Sequence, residues 1–243
     1  MELDFQTNLF VAIIIALSTI SQAAFGVGIL LWGTPALLLL NYSFLEALSL
    51  LLPISLFVSF FQFAPKIKEL DFNFIGQFLK ISIPGLTIGL LLVVFVQLQL
   101  NVVTSSMLLI AYFMRRNRAS SLLRDLILKY DSLFMFFMGF AHGISNLGGP
   151  LLVARLSLKG YSKNHYRINV SAAYFVFAAS QLIILFMLSE KLIVSVSYIL
   201  ISGFFYLITN TLLVSRINSK LFDSLISSLI LIMVIFLLIR SLM

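Results

Sequence analysis

The sequence predicts an all-α polytopic membrane protein with two inverted-topology repeats, each a glycine-tipped helical hairpin followed by three transmembrane helices. Of the 243 residues, 61% are apolar and 10% are charged, and the mean hydropathy is +1.11. A soluble domain has about 45 to 50% apolar and about 25% charged residues, since it cannot hide more apolar surface from water. Two further observations predict the arrangement: breaks in the apolar pattern recur at one spacing, and basic residues gather in alternate loops.

Ten apolar segments follow one another along the chain. They cover residues 8–24, 28–40, 43–64, 72–97, 102–114, 131–145, 150–158, 165–188, 192–214 and 222–240. Segments 28–40 and 150–158 are shorter than the roughly 17 to 25 residues that a membrane-spanning helix needs. Each follows its predecessor through glycines and without a charged loop. We therefore expect both to be the second arms of hairpins that turn inside the membrane.

The hairpin turns are candidate functional sites. Gly26 and Gly28 mark the first turn, and Gly148 and Gly149 mark the second. Irregular backbone is tolerated at membrane depth only where protein or a watery cavity covers it. A structural alternative stays open, in which the glycines serve only to let helices pack closely.

The recurrence of the breaks indicates a duplicated unit. An offset of 120 residues carries Gly28 onto Gly148 and segment 43–64 onto 163–184. The predicted parts are a first repeat at 1–118, a cytoplasmic linker at 119–130 and a second repeat at 131–243. A hairpin returns to its own side, so each repeat makes three net crossings. Because three is odd, the second repeat is expected to be inserted upside down, with the two glycine tips facing each other near the midplane.

The basic residues predict the orientation. All but three of the 16 lysines and arginines lie in the stretches 65–71, 115–130, 155–167 and 215–221. The exceptions are Lys80, Lys191 and Arg240. Because cytoplasmic loops carry the excess of Lys and Arg, we expect these stretches to be cytoplasmic and the N-terminus to lie outside, in a multi-pass protein of the cell membrane. The net charge of +7 thus reflects orientation and lipid contact and does not indicate a nucleic-acid partner.

The residues around the two turns are the candidate binding residues. A helix that starts at a turn presents unpaired N–H groups and the positive end of its dipole, which favours an anion. The residues expected to bind a small anion are Gln22, Gly26, Gly28, His142, Ser145, Asn146, Gly148, Gly149 and Arg167. For His142 the alternative is an interhelical hydrogen bond. For Arg167 the alternative is snorkelling to the surface, which is also the expectation for Arg155.

Two glycine-rich stretches carry a family resemblance. Gly26-Val27-Gly28 with Pro35, and the run from Gly143 to Val153, resemble the two signatures of the TauE/SafE sulfite exporter family. The run 166–169, Tyr-Arg-Ile-Asn, resembles the basic motif that follows the second signature, while Ile29, Leu30 and Asn146 depart from the pattern. The resemblance implies a permease for small sulfur-containing anions such as sulfite, thiosulfate or organosulfonates.

The predicted function is a secondary transporter that moves a small anion by alternating access between the repeats, using a substrate gradient or a coupling proton or cation. An anion channel and an accessory membrane subunit remain alternatives. An intramembrane enzyme is disfavoured, because the only two histidines are 23 residues apart and no carboxylate lies clearly in a helix centre. The chain has no cysteine and no GxxxxGK[ST] loop, so we expect no cofactor, no metal site and no ATP-driven motor. The expected partners are the anion and the bilayer, and the sequence indicates no oligomeric state.

Overall fold

The computed structural model describes residues 5–96, 99–116, 121–188, 194–213 and 230–240. In these ranges the chain forms helices and no strand. The helices are α1 (Phe5–Phe25), α2 (Ile29–Leu39), α3 (Phe44–Phe63), α4 (Phe72–Phe95), α5 (Leu100–Arg116), α6 (Ser121–Lys129), α7 (Asp131–Ser145), α8 (Gly149–Ser157), α9 (Lys163–Met187), α10 (Val196–Ile208) and α11 (Ile230–Arg240). A 3-10 turn, Ala64–Glu69, follows α3, and a π-helical turn, Thr209–Leu213, follows α10. The basic residues Arg118, Lys191, Arg216 and Lys220, and the first part of the predicted linker, lie outside the described residues.

Helix length and exposure are those of a membrane protein. Within the described ranges, four helices are long and apolar enough to cross a bilayer: α1, α3 with its 3-10 turn, α4 and α9. Many large apolar side chains face outward, among them Phe95, Phe186 and Phe204, which are 72%, 75% and 60% exposed. Water would make such a surface costly, whereas lipid does not. The predicted all-helical membrane class is confirmed.

Helices α2 and α8 are the short second arms of two hairpins. They have 11 and 9 residues, which is about 16 and 14 Å of helix against a hydrocarbon core of about 30 Å. The first arms of both hairpins end in the same way: Gly26 and Asn146, 120 residues apart, have φ values of 80° and 64°. Each donates its N–H to the carbonyl four residues earlier, at 2.7 Å in both cases. This is the left-handed helix ending that glycine adopts freely and asparagine tolerates.

The tightest helix pair in the fold joins the two halves of the chain. Helix α4 carries Gly85 and Gly89, and α7 carries Gly139 and Gly143, each pair four residues apart. A Cβ on Gly139 would lie 1.9 Å from the carbonyl oxygen of Ser82. A Cβ on Gly85 would lie 2.3 Å from the carbonyl oxygen of Phe136. The missing side chains therefore let the two backbones touch, which is how helices gain packing energy in lipid. We call this contact the glycine zipper.

Other pairs also cross between the halves. Helix α3 packs along α9, and α1 packs along α10. In addition, α4 contacts α9, and α10 contacts α3. Each of these pairs has its counterpart when residues are shifted by 120, because α1, α3 and α4 correspond to α7, α9 and α10. The hairpins themselves pack on the helices that follow them, α2 on α3 and α8 on α9.

Polar contacts tie the loops together at one end of the helices. Asp71 caps α4 by accepting from the Phe74 N–H, and it also accepts the Tyr161 O–H. Its own N–H donates to Asn169 Oδ1 at 3.0 Å. Burial acts to raise the pKa of the Asp71 carboxyl, but these hydrogen bonds and the charge of Lys159 outweigh it and lower the pKa. The loops at 64–71 and 158–162 therefore share one end of the molecule.

Polar contacts of a second set lie at the opposite end of α1 and α3. Arg240, at the end of α11, donates to Asn41 Oδ1 in the loop between α2 and α3. Tyr198, at the start of α10, donates to Asn8 Oδ1 near the start of α1 at 3.0 Å. The open end of the first hairpin, formed by the start of α1 and the end of α2, therefore lies at the same end of the molecule as the starts of α3 and α10.

The expectation that Arg155 snorkels to the surface is wrong. Its side chain is 2% exposed and donates two hydrogen bonds to Asp131, from Nε at 2.5 Å and from Nη2 at 2.6 Å. The guanidinium also lies over the Phe74 ring, 5.3 Å from its centroid. The planar guanidinium matches the carboxylate with two parallel bonds, so pairing within the protein replaces solvation by water. This pair closes the open ends of the second hairpin, because Asp131 starts α7 and Arg155 lies near the end of α8.

We predict that Gly139→Ala disrupts the fold whereas Gly76→Ala does not. The methyl group added at position 139 would meet the Ser82 backbone, so α4 and α7 would have to separate, at an expected cost of about 1 to 3 kcal/mol or more. Gly76 lies on α4 too, but nothing stands within 4 Å of the Cβ position, and alanine favours a helix. Thermal melting in detergent measures the difference. Equal melting temperatures for the two variants would show that the zipper contributes little.

Candidate functional site

The second hairpin tip is built around His142. The ring is fully buried and stacks on Phe177 of α9, with centroids 4.0 Å apart and planes at 11°. His142 Nδ1 accepts the Gly148 N–H at 3.2 Å, so the side chain occupies a backbone donor at the start of α8. Because Nδ1 accepts, the geometry assigns the proton of the neutral ring to Nε2.

Four buried side chains at this tip carry unsatisfied polar atoms. Among the described residues, Asn146 Oδ1 and the Tyr174 hydroxyl have no hydrogen-bond partner, and neither His142 Nε2 nor the Gln181 amide has one outside this pair. All four residues are 0% exposed. Tyr174 meets the His142 ring edge-on, with centroids 6.0 Å apart, and Gln181 lies beside His142. Burying an unpaired polar group costs free energy, so several at one place indicate a site that takes a polar ligand. We call these four side chains the tip cluster.

The second tip lies beside the middle of α2. Asn146 Nδ2 donates to Thr34 Oγ1 at 2.8 Å. Thr34 is six residues beyond Gly28, which is about 9 Å along the helix. The second tip therefore contacts α2 about 9 Å beyond the first tip, and the tip-to-tip arrangement near the midplane stays a prediction.

At the first tip the Gln22 side chain is fully paired, whereas Gln62 Oε1 and Arg167 Nε are buried and have no hydrogen-bond partner among the described residues. Gln22 stands where His142 stands in the second half. Its Oε1 accepts the Ile29 N–H at 3.1 Å, and its Nε2 donates to Ser59 Oγ at 2.9 Å. Gln62 Nε2 donates to the Gln22 carbonyl oxygen at 3.2 Å. The Gln22 side chain is thus internally satisfied, whereas that of His142 is not.

Arg167 lies at the first tip and not at the second. Its Nη2 donates to the Ala23 carbonyl oxygen, in the last turn of α1, and to Asn210 Oδ1 at 3.4 Å. The last carbonyls of a helix have no intrahelical donor, and a cation there also complements the dipole. Arg167 therefore ties α1 to α9 and to the π-helical turn after α10.

The tip glycines are surrounded by protein. The Cβ positions of Gly28 and Gly148 fall on the first arms of their own hairpins, 2.3 Å from the Ser18 carbonyl oxygen and 2.7 Å from the Met138 carbonyl oxygen. The Cβ position of Gly26 meets Val170 at 2.9 Å. At Gly149 the neighbour is polar, since a Cβ there would lie 1.6 Å from the Tyr174 hydroxyl oxygen. Close packing, the alternative kept open above, accounts for Gly26, Gly28 and Gly148. At Gly149 the missing side chain leaves room for the Tyr174 hydroxyl.

Ser145 and the tip amides also have internal partners. Ser145 Oγ donates to the Ala141 carbonyl oxygen at 2.6 Å and accepts the Leu147 N–H at 3.3 Å. With the Gly148 N–H on His142, the predicted cradle of free backbone amides is largely occupied. The side chains of the tip cluster are the unpaired groups instead.

Sequence reasoning assigned no binding role to Tyr174 or Gln181. The two are seven residues apart on α9, hence on one helix face, with Phe177 between them. That spacing is visible in the sequence, but the element that the face contacts is not. Among the described residues, no group of three or more His, Asp or Glu side chains forms a metal site.

Comparison with known families decides what kind of protein carries this site. The family model described as "Sulfite exporter TauE/SafE" matches residues 10–241. The chain belongs to the TauE/SafE family. The resemblance drawn from the two glycine-rich stretches is thereby confirmed. Comparisons with curated proteins and with solved structures gave no match.

TauE/SafE membership indicates a membrane transporter of sulfur-related anions, embedded in a lipid bilayer. It points away from an enzyme. The match extends over both hairpins and the helices between them, so the tip cluster lies within the TauE/SafE region of the chain.

Proposed function

We propose that the protein is a secondary transporter that carries a small sulfur oxyanion, such as sulfite, thiosulfate or an organosulfonate, through a site at the second hairpin tip. The observation that carries the proposal is the tip cluster. Its three buried donors are His142 Nε2, the Tyr174 hydroxyl and the Gln181 amide nitrogen, and among the described residues none of them has a hydrogen-bond partner outside the tip cluster. Neutral donors in a site of low dielectric can hold an anion without a full positive charge beside it.

The remaining predicted residues have supporting roles in this proposal. The turn that contains Asn146, Gly148 and Gly149 lies next to the donors of the site. Gly148 donates its N–H to His142, and Gly149 leaves room for the Tyr174 hydroxyl. Ser145 stabilises this turn through its hydrogen bonds with Ala141 and Leu147. Gln22, Gly26, Gly28 and Arg167 form the first tip, where their hydrogen bonds keep α1, α2 and α9 together.

The proposal includes two inverted repeats that rock by alternating access. The support is the pairing of helices. A shift of 120 residues turns the α1–α10 pair into the α7–α4 pair, and the α4–α9 pair into the α10–α3 pair. Helices α3 and α9, which correspond to each other, pack together. The polar ties support it as well. The open ends of the first hairpin lie with Tyr198 and Arg240, whereas those of the second lie with the basic loop at 158–162. With the basic loops cytoplasmic, the N-terminus lies outside the cell membrane.

We further propose that a proton bound at His142 couples transport to the proton gradient. Gln22 and His142 both accept a backbone N–H at the start of the second arm. An amide cannot titrate, but an imidazole protonated on Nδ1 loses its acceptor and would release Gly148. Protonation would therefore loosen the second tip and leave the first unchanged.

The transport proposal predicts that Tyr174→Phe and Gln181→Leu each lower sulfite or organosulfonate flux in proteoliposomes. Each change removes one donor, and a hydrogen bond to a charged ligand contributes about 1.5 to 3 kcal/mol, so kcat/KM should fall about tenfold or more. Matched controls are Tyr130→Phe and Gln77→Leu, whose side chains are exposed. Full flux in both site variants would remove the tip cluster from the substrate path.

The coupling proposal predicts that His142→Gln uncouples flux from pH. The glutamine would keep an acceptor for the Gly148 N–H, as Gln22 does for Ile29, but would not titrate. Uptake by the wild type should respond to an imposed pH gradient, and any uptake by His142→Gln should not. A wild type that ignores the gradient, or a variant that responds equally, would contradict the proposal.

A further inference from the structure

A polar cavity lies at the end of the molecule opposite the basic loops. It measures about 550 Å³ and opens where α2 ends, α3 and α5 begin and α11 ends. Its polar lining includes Asn41, Tyr42, Glu46, Gln99, Asn101 and Arg240. None of these residues belongs to either hairpin tip, so the cavity is separate from the tip cluster. We call it the outer cavity.

Arg240 provides a fixed cation in the outer cavity. Its Nη2 donates to Asn41 Oδ1, which leaves the guanidinium held against the loop between α2 and α3. Asn41 is itself fixed in the left-handed region, with φ at 70°, and its N–H donates to the Leu38 carbonyl oxygen at 3.1 Å. Arg240 Nη1 is buried and has no hydrogen-bond partner in the described ranges. One face of the guanidinium is thus anchored and another donor is available.

Tyr42 provides an independent second donor. Its side chain is 7% exposed, yet its hydroxyl has no hydrogen-bond partner within the described part of the chain. The first turn of α5, a helix of 17 residues, also lines the cavity through Leu100 and Asn101. A helix start favours negative charge. The Arg240 guanidinium, the Tyr42 hydroxyl and the start of α5 therefore all favour an oxyanion in the outer cavity.

Glu46 limits the charge that the outer cavity accepts. Its carboxylate takes part in the cap of α3, where Oε2 accepts the Ser43 N–H at 2.8 Å and the Ser43 hydroxyl at 2.9 Å. These bonds hold the carboxylate in the cavity wall, where it balances Arg240. Because the two fixed charges cancel, the cavity does not compensate the larger desolvation cost of a dianion, and a singly charged anion is favoured.

We propose that the outer cavity is a second binding site for small, singly charged oxyanions such as sulfonates, at the mouth through which the anion enters or leaves. Arg240 Nη1 and the Tyr42 hydroxyl donate to the oxyanion, and Glu46 discriminates against dianions, which among the proposed substrates favours organosulfonates and hydrogen sulfite over thiosulfate. The position explains a departure from the charge pattern, since Arg240 is one of three basic residues outside the basic loops. The mouth role rests on the proposed transport function, whereas the binding itself does not.

Binding is tested in the full-length Tyr174→Phe/Gln181→Leu protein, so that the tip cluster does not contribute. The probe is methanesulfonate, a monoanion, with sulfate as the dianion, and thermal shift or calorimetry gives the affinity. Arg240→Gln should weaken methanesulfonate binding about tenfold or more, and Tyr42→Phe by a smaller factor. Arg124→Gln, an exposed arginine on α6, removes the same charge elsewhere and should change nothing.

Glu46→Gln gives a change of opposite sign in the same cavity. Glutamine can keep the cap on α3, because either residue serves at that position of a capping box. Removing the negative charge should tighten methanesulfonate binding severalfold and bring sulfate closer to it. Unchanged affinity in both Arg240→Gln and Glu46→Gln, or changes of the reverse sign, would overturn the proposal.

Flux separates this proposal from the transport function. In the chain with an intact tip cluster, Arg240→Gln should raise KM for anions added on the side of the outer cavity, with little change in kcat. Binding of methanesulfonate without any anion flux would refute the transport proposal and keep the site. Flux with an unaltered KM in Arg240→Gln would refute the outer cavity as the mouth.

Discussion

The contact on which the rest of the structure depends is the glycine zipper between α4 and α7. In lipid, no hydrophobic effect draws helices together, so close packing of backbones supplies the attraction. Gly85, Gly89, Gly139 and Gly143 remove the side chains that would hold α4 and α7 apart. Because α7 is the first arm of the second hairpin, the zipper anchors that hairpin to the first half of the chain.

The equivalent pair, α1 and α10, does not have this anchor. At the positions that correspond to the zipper glycines stand Thr19, Ala23, Phe205 and Thr209. Arg167 joins the last turn of α1 to the π-helical turn after α10 by hydrogen bonds instead. The same asymmetry appears at the tips, where the Gln22 side chain is paired at both amide atoms and His142 is not fully paired. The two tips thus differ in the pairing of the side chain at equivalent positions 22 and 142.

Much of this architecture could be predicted from the sequence, because it follows from patterns local to the chain. Composition indicated the membrane class, segment length indicated the short arms α2 and α8, and glycines marked both turns. The rest depends on which helix meets which. Gly85-x-x-x-Gly89 is visible in the sequence, but its partner on α7 is not. The pairing of Arg155 with Asp131, 24 residues away, likewise requires the fold, and without it snorkelling was the wrong expectation. Tyr174 and Gln181 become site residues only because α9 turns that face toward His142.

The proposed inverted arrangement places the open ends of the two hairpins on opposite sides of the membrane. The chain has no cysteine, so a single introduced thiol reports its own side. Ser43 and Ser162 are matched positions, since both are exposed and both cap the helix that follows a hairpin. In intact cells, an impermeant thiol reagent should label Ser43→Cys at once and Ser162→Cys only after permeabilisation. Labelling of both from the same side would contradict the inverted arrangement.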